Sequence, residues 1–418
     1  MLLTNCLVTD PSSPQPTHAL RLREGIVVER GDRLAPLAGE TVYDCRGLTL
    51  LPGLVDIHVH FRTPGQPHKE TFWSGMRAAL AGGYTRVVQM PNTIPVLDSP
   101  ELIRQQTTAL PVRCHVAAAV TEGSRQERVV DMARLARAGA VAFTDDGRPV
   151  RWEHNIRAAL QQSAELGIPV MEHAEVLELS DGRPIHGGVV AEQLGILGQP
   201  SAAEYQMVLR DAELAAETGG HIHICHLSTW ESVEILRESQ ARGHKVTGEV
   251  TPHHLFLTED AVLQWGTGAK MAPPLRSERD RRALLAGLLD GTIACVATDH
   301  APHTGDEKSR PLADAPFGVI GLETAFALLY TYCVQAGLMD LTELVNVMSK
   351  KPAALVGLPG GSLQPGDPAD LTLVDLDAEW VVDADDFESK SRNCPFIGWK
   401  LRGRIEQTMV AGEWRWRR

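Results

Sequence analysis

The chain has 418 residues, of which 43% are hydrophobic and 22% charged, and its formal net charge is −13 at pH 7. That length can bury one large core with a smaller one beside it, and the composition is that of an ordinary globular enzyme. The acidic balance argues against a general binder of nucleic acid or of anionic membranes. The N-terminus lacks the pattern of a targeting segment, and no apolar run is long enough to cross a bilayer.

Seven cysteines are scattered along the chain, and none forms a CxxC pair. This pattern is typical of reduced, mostly buried thiols and not of a disulfide framework. It predicts a cytoplasmic protein.

Short apolar runs separated by turn residues occupy both ends of the chain. Residues 1–53 contain such runs at 19–22 and 25–28, and residues 351–418 contain the strand candidates 371–374 and 408–410. Neither end is large enough to bury a good core alone. We therefore predict that the two ends form one composite β-sandwich.

Residues 54–350 have a different texture, in which each of six amphipathic segments is followed by an apolar strand candidate. The pairs are 71–81 with 86–90, 127–137 with 139–143, 155–166 with 169–171, 202–217 with 221–225, 230–241 with 245–247, and 278–289 with 293–297. Repeated units of this length predict parallel strands joined by right-handed crossovers. The pattern fits an α/β fold of the (β/α)8 TIM-barrel type. An open doubly wound sheet is the alternative, which the lack of a glycine-rich nucleotide or phosphate loop disfavours.

The first strand of this region ends in the sequence Asp56-Ile57-His58-Val59-His60. In an extended strand, residues i and i+2 point the same way, so His58 and His60 share a face. Two imidazoles at a strand end are a common start to a zinc site. The alternative is a pair of half-buried histidines satisfied by hydrogen bonds, and two histidines alone do not decide between these interpretations.

The ends of four further strand candidates favour the metal site. In a barrel, the carboxyl ends of the strands meet at one rim, where the chemistry of such folds takes place. In addition to the first pair, that rim receives Asp145, Asp146, Glu172, His173, His226, Asp299, His300 and His303. Four histidines and two carboxylates exceed what one tetrahedral zinc ion uses, and they suit a two-metal site with a bridging carboxylate. A rim carboxylate would then shuttle a proton to a leaving nitrogen.

The segments DIHVHFRTPG, MPNT, AFTDDG, HLST, EVTPHHL, APPLR and ATDHAPH follow one another in this order along the chain. Together they resemble the dihydroorotases of the amidohydrolase superfamily, and more narrowly the bacterial type I enzymes. The resemblance covers nearly the whole chain. It implies a distorted (β/α) barrel with a β-sandwich built from both termini. It also implies zinc-dependent, reversible ring opening of dihydroorotate to carbamoyl aspartate, a step of de novo pyrimidine (UMP) biosynthesis.

The resemblance also implies a set of metal ligands. His58, His60 and Asp299 would hold the more buried zinc ion, and His173 and His226 the second. Many relatives bridge the ions with a carboxylated lysine, but this chain has no lysine at that strand end. The type I pattern places an aspartate there, and the spacing to His173 fits Asp146 better than Asp145. Asp299 would in addition be the catalytic acid and base.

Further matches imply how substrate is bound. Arg62 and Asn92 correspond to the residues that grip the substrate carboxylate, beside His60, and a guanidinium suits a bidentate contact. His303 and the pair Phe317-Gly318 correspond to the loop that closes over the pyrimidine ring. The alternatives are a surface arginine, a turn asparagine and a loop histidine.

One position departs from the family pattern. The family usually carries asparagine before Pro-Pro-Leu-Arg, where it contacts the ring, and here that residue is Ala272. Because alanine makes no side-chain hydrogen bond, its presence predicts substrate binding that is weaker by about 1–2 kcal/mol. Lys270 or a water molecule is the candidate replacement.

Two other functions compete with dihydroorotase. One is a related cyclic-amide hydrolase such as a hydantoinase or allantoinase, against which stand the missing bridging lysine and the presence of Arg62 and Asn92. The other is a non-catalytic dihydroorotase-like subunit of an aspartate carbamoyltransferase complex. Such subunits typically lose metal ligands, and all six are present here. A homodimer is expected, with aspartate carbamoyltransferase as a candidate partner.

Overall fold

The computed structural model describes residues 1–13 and 15–418. Six short strands come first along the chain. They are β1 (Leu2–Thr4), β2 (Leu7–Val8), β3 (Ala19–Arg23), β4 (Ile26–Gly31), β5 (Val42–Asp44) and β6 (Thr49–Pro52).

Eight parallel strands follow and form a barrel in strict chain order. They are β7 (Leu54–Val59), β8 (Tyr84–Gln89), β9 (Arg113–Ala118), β10 (Ala140–Phe143), β11 (Val170–Glu172), β12 (Ile222–Ile224), β13 (Val246–Val250) and β14 (Cys295–Val296). A parallel bridge between Val59 and His300, with the His60 amide donating to the His300 carbonyl at 2.9 Å, joins the last strand to the first. The predicted barrel is therefore confirmed, and the open-sheet alternative is wrong.

Helices lie between and after these strands. They are α1 (Phe72–Ala81), α2 (Pro100–Gln106), α3 (Met132–Ala138), α4 (Glu153–Leu166), α5 (Leu177–Ser180), α6 (Val189–Leu194), α7 (Ala202–Thr218), α8 (Trp230–Ala241), α9 (Pro252–Phe256), α10 (Ala261–Trp265), α11 (Glu278–Asp290), α12 (Gly305–Lys308), α13 (Ala325–Leu329), α14 (Leu341–Val345) and α15 (Lys351–Leu355). A π-helical turn, Tyr330–Val334, continues α13, and a second, Asn346–Lys350, joins α14 to α15.

The strands of the barrel separate two apolar layers. Val55, Ile57 and Val88 belong to the cluster that fills the barrel interior, whereas Val59 and Val87 belong to the larger cluster between strands and helices. Residues Ile57 and Val59 are two apart in β7 and should face the same layer, but Ile57 faces the barrel interior and Val59 faces the helices. The pairing of β7 with β8 is irregular at this point. An extra residue of this kind re-aims the side chains that follow it. His58 and His60, which flank Val59, thus point toward the barrel interior.

The chain ends in the strands β15 (Leu371–Val381), β16 (Lys400–Val410) and β17 (Glu413–Arg417). These pair with β6 and β2 in one sheet, and β4, β3, β1 and β5 form another. Leu3, Leu20, Leu50, Leu371 and Met409 share one buried cluster between them. Both ends of the chain therefore contribute to one core, as the predicted sandwich requires. Division of the chain at 53/54 and 350/351 stays a prediction.

All seven cysteines are buried and unbridged. In the part of the chain that the structure describes, no helix combines the length and the apolar character that crossing a bilayer would take.

Candidate active site

The carboxyl ends of the barrel strands surround a cavity of about 400 Å³. This volume suits a small-molecule ligand. Eleven of the twelve positions for which the resemblance implies a metal or substrate contact line the cavity: His60, Arg62, Asn92, Asp146, His173, His226, Ala272, Asp299, His303, Phe317 and Gly318. The twelfth, His58, lies beneath it and is fully buried.

Asp146 lies between two pairs of histidines. Its Oδ2 is 3.4 Å from Nε2 of both His58 and His60. Its Oδ1 is 3.4 Å from Nε2 of His226 and 3.5 Å from Nδ1 of His173. Each carboxylate oxygen therefore faces a different imidazole pair, which is the arrangement that a carboxylate bridging two cations requires.

Asp299 faces the first of these pairs from the end of β14. Its Oδ1 lies 2.9 Å from Nε2 of His60 and 3.6 Å from Nε2 of His58. His58, His60 and Asp299 form one compact group of ligand atoms, and His58, Asp146 and His226 form another. The two groups share His58.

Two atoms in the middle of this cluster lack hydrogen-bond partners although they are buried. They are Nε2 of His58 and Oδ1 of Asp146. Leaving such groups unsatisfied is costly unless something binds them. Imidazole nitrogens and carboxylate oxygens are ligands that zinc accepts, so the residues present fit a bound metal.

The ionisation of the cluster follows from its mixture of acids and bases. Burial favours the neutral form of Asp146, but His58, His173 and His226 outweigh it and hold the Asp146 pKa well below its usual value. Burial likewise disfavours a charged His173, yet Asp146 and Glu175 raise its pKa to about 10. The carboxylates are therefore ionised and available as ligands near neutral pH.

Glu249 is a candidate site residue that the sequence analysis missed. It lies on β13, is fully buried, and accepts a hydrogen bond from His58 Nδ1 at 2.6 Å. Its other oxygen is 3.2 Å from His223 Nε2. This contact fixes the His58 ring so that Nε2 faces the cluster. Glu249 is the one charged residue of the strand sequence Val-Thr-Gly-Glu-Val, and a carboxylate within a barrel strand was the signal that could have revealed it.

Asp145 and Asp146 are neighbours in sequence but point to different surroundings. The Asp145 carboxylate accepts hydrogen bonds from the amides of Val120 and Thr121 at 2.9 and 3.0 Å, from the Thr121 hydroxyl at 2.5 Å and from Gln126 at 2.8 Å. Its bonding capacity is thus used within the adjacent loop. Only Asp146 reaches the histidines.

Arg62 and Asn92 lie on one side of the cavity. The Asn92 Oδ1 is 2.9 Å from His60 Nδ1, so its amide nitrogen is left for another partner. Arg62 is anchored through Nε to the Pro302 carbonyl at 3.2 Å, which leaves most of its guanidinium donors open to the cavity. This pairing of amide and guanidinium suits a carboxylate ligand.

The adjoining wall is formed by two loops that meet at His303, whose Nε2 lies 3.3 Å from a guanidinium nitrogen of Arg62. The His303 Nε2 is 2.8 Å from the Phe317 carbonyl, and the Gly318 amide donates to the Lys270 carbonyl at 3.0 Å. Gly318 has a φ of 128°, and an added Cβ would lie only 2.7 Å from Cβ of Ala301. Glycine is therefore required for this close approach.

Ala272 lines the cavity, and its methyl group offers no hydrogen bond there. The Lys270 ammonium instead donates to the carbonyls of Leu312 and Ala313, at 2.6 and 3.1 Å, and lies over the Phe317 ring. Lys270 is thus occupied elsewhere and does not replace the missing asparagine.

Three of the site residues other than glycine have a positive φ. The φ angles of Arg62, His226 and Asp299 are 56°, 33° and 46°. Such conformations cost free energy for residues other than glycine and concentrate at functional sites. Here they occur where the chain leaves β7, β12 and β14 for the rim.

Residues 49–415 match the family model described as Amidohydrolase family. The chain belongs to this family, which consists of metal-dependent hydrolases. Within it, the chain is similar to proteins named dihydroorotase. That of Staphylococcus epidermidis is 47% identical over 376 residues, which are 89% of this chain and 88% of that protein. That of a Wolbachia species is 45% identical over 419 residues, covering 98% of this chain and 94% of the relative. The predicted family is therefore confirmed.

A solved structure of similar shape is that of L-hydantoinase (dihydropyrimidinase) from Arthrobacter aurescens. It matches with a TM-score of 0.88 at 26% identity, covering 99% of this chain and 95% of the other. The fold is thus shared with cyclic-amide hydrolases, whereas the higher sequence identities are with dihydroorotases.

Proposed function

We propose that this chain is a dihydroorotase that interconverts carbamoyl aspartate and dihydroorotate. One observation carries the proposal: the Asp299 carboxylate opens onto the same cavity as the Arg62 guanidinium and the Asn92 amide. The first is a general acid and base beside a candidate metal cluster, and the other two suit a substrate carboxylate. A cyclic amide that carries a carboxylate fits both.

Two zinc ions are the proposed cofactors. His58, His60 and Asp299 would hold one, His173 and His226 the other, and Asp146 would bridge them. When bound, the ions would supply positive charge that polarises the ring carbonyl and acidifies water.

The chain's own residues would orient the substrate and move its proton. Arg62 and Asn92 would hold the carboxylate, so that the ring lies against Ala272 and the His303 wall. Asp299 would take the proton of the attacking water on a carboxylate oxygen and deliver it to the ring nitrogen as the amide bond breaks. Ring closure would use the same groups in reverse.

Ionisation of Asp299 supports this role. Burial opposes its charge, but the hydrogen bond from His60 and the nearby His58 and His226 lower its pKa below the usual range. The group would thus be a carboxylate, able to accept a proton, throughout the neutral pH range.

The test combines elemental analysis with an activity assay on the purified chain. We expect zinc in the protein and turnover of dihydroorotate, and a fall in rate by roughly 10²–10⁴ in Asp299→Asn, which keeps size but removes basicity. Rapid hydrolysis of a five-membered hydantoin without any turnover of dihydroorotate would assign the chain to the hydantoinase group instead. Assembly as a homodimer, association with aspartate carbamoyltransferase and the cytoplasmic location stay predictions.

A further inference from the structure

The wall of the cavity that contains His303 and Gly318 is held by residues far away in sequence. They belong to residues 389–393, in the loop between β15 and β16 of the C-terminal strands. We call this stretch the 389–393 segment. Ser389, Ser391 and Asn393 within it are all buried.

Asn393 joins the two loops of this wall through its side chain. Its Nδ2 donates to the carbonyls of Ala301 and Gly318, at 3.1 and 3.0 Å. Its Oδ1 accepts from the His303 amide at 3.4 Å. A side chain with two donors on one atom and an acceptor on the other meets all three needs, and among the residues of similar size only asparagine provides it.

The Asn393 carbonyl and the Ser391 hydroxyl add to these contacts. The Asn393 carbonyl accepts from the Ile320 amide at 3.0 Å. Ser391 accepts from the His303 amide at 3.1 Å, and its hydroxyl lies 2.5 Å from the His303 carbonyl. His303 is therefore held at both its amide and its carbonyl, so its ring position depends on the segment.

Two carboxylates fix the segment itself to the barrel. Glu70 accepts from the Lys390 amide at 3.1 Å and from the Ser389 hydroxyl. Glu323 accepts from the amides of Glu388 and Ser389, at 2.9 and 3.1 Å. The segment is therefore fixed to the barrel by Glu70 and Glu323, and it in turn fixes the two loops of the cavity wall.

We propose that Asn393 is a positioning residue that sets the distance between the His303 and Gly318 loops, and hence the fit of the ring in the cavity. The inference rests on the proposed function and adds a determinant of substrate binding that lies outside the barrel sequence. Asn393 itself does not line the cavity, so it acts through these two loops.

Two substitutions separate this role from general stability. Asn393→Ala removes the side-chain contacts to Ala301, Gly318 and His303, together with one to the Ser391 hydroxyl. Asn393→Asp keeps the shape but turns an oxygen toward the carbonyls of Ala301 and Gly318. We expect KM for dihydroorotate to rise about tenfold in each, equivalent to about 1.4 kcal/mol, with kcat within about twofold and zinc content unchanged. Uniform binding is affected because the wall contacts ground state and transition state alike.

Asn346→Ala is the matched control. Its side-chain amide donates to Glu343 at 3.0 Å, and neither residue lines the cavity. This variant should lower the melting temperature at most and leave KM as it was. Ser391→Ala, which removes the hydroxyl that contacts both the His303 amide and the His303 carbonyl, should raise KM about threefold and serves if the Asn393 variants do not fold.

The outcomes distinguish the two proposals. If the wild type turns over dihydroorotate but KM is unchanged in the folded variants, or only the melting temperature falls, the positioning role is wrong. If the wild type does not turn over dihydroorotate at all, the proposed function fails and takes this inference with it.

Discussion

At the scale of single residues, Glu249 shows how a buried charge orients a candidate metal ligand. Burial alone would raise its pKa, but His58 and His223 outweigh burial and lower the pKa to about 2. The ionised carboxylate accepts from Nδ1 of His58 and leaves Nε2 free. A histidine oriented in this way is also a more basic ligand.

Glu249→Gln should therefore weaken metal binding while the fold persists. Glutamine keeps the size and one acceptor but loses the charge, and we expect zinc affinity to fall 10- to 100-fold, measured by competition with a chelator. Asp10→Asn is the matched control, because Asp10 is a buried carboxylate of the sandwich that accepts from Arg30 at 2.8 Å. Equal zinc affinity in Glu249→Gln and wild type would show that the charge of Glu249 does not support metal binding by His58.

Ala272 allows a second test at this scale. An asparagine introduced there would face the cavity and could bond the ring in ground state and transition state alike. Ala272→Asn should lower KM for dihydroorotate by up to about tenfold with kcat nearly unchanged, as steady-state kinetics would reveal. A higher KM would mean that the alanine makes room the substrate needs.

At the scale of elements, the end of β10 directs two adjacent carboxylates in opposite ways. Asp146→Ala should reduce binding of the ion that His173 and His226 would hold more than that of the other, which would keep His58, His60 and Asp299. Asp145→Ala should instead loosen the loop around Thr121 and lower the melting temperature, with a smaller loss of metal. Metal analysis and thermal unfolding of both variants measure these effects. A larger loss of metal in Asp145→Ala than in Asp146→Ala would assign the bridging role to Asp145 instead.

Some elements could be predicted from sequence and others could not. The amphipathic segments 202–217 and 230–241 match α7 and α8 closely, because their apolar faces pack on the barrel along their whole length. The segment 127–137 was placed too early, since the helix begins only where the Asp131 side chain caps the Arg134 amide. Strand β9 was missed because Arg113 and His115 break its apolar run.

The site was predictable where it depends on strand ends and unpredictable where it depends on tertiary contact. Parallel strands bring their carboxyl ends to one rim, so the histidines and Asp299 could be expected together. Three features of the site have no local pattern in the sequence. They are the irregular pairing that turns His58 inward, the different directions of the Asp145 and Asp146 side chains, and the contacts of Asn393 from the loop between β15 and β16.

At the scale of the whole molecule, a buried ion cluster connects the amino-terminal end of the barrel to the sandwich. Asp370 accepts from Arg86 at 3.0 Å and from Arg113 at 2.6 Å. His115 lies beside them, with Nε2 3.4 Å from Arg86. Burial, and then the positive charges of Arg86 and Arg113, lower the pKa of His115 from 6.5 to about 4. The folded protein thus keeps this histidine neutral.

Stability should therefore fall in mildly acidic solution. Below pH 6.5 the unfolded chain binds a proton at His115, whereas the folded chain binds one there only below about pH 4. Protonation of His115 therefore favours the unfolded chain. The part of the free energy of unfolding that depends on His115 is fully present above pH 6.5 and is lost as the pH falls. Between pH 7.5 and pH 5 the loss from this one group is about 2 kcal/mol.

His115→Gln keeps an acceptor for Arg86 but cannot titrate. Between the same two pH values, the free energy of unfolding of this variant should therefore fall by about 2 kcal/mol less than that of the wild type. Denaturant unfolding of both proteins at the two pH values isolates the difference, because every other group titrates alike in both. Equal pH dependence would show that protonated His115 is tolerated in the folded state, and that the joint between barrel and sandwich is more open to water than the hydrogen bonds around Asp370 indicate.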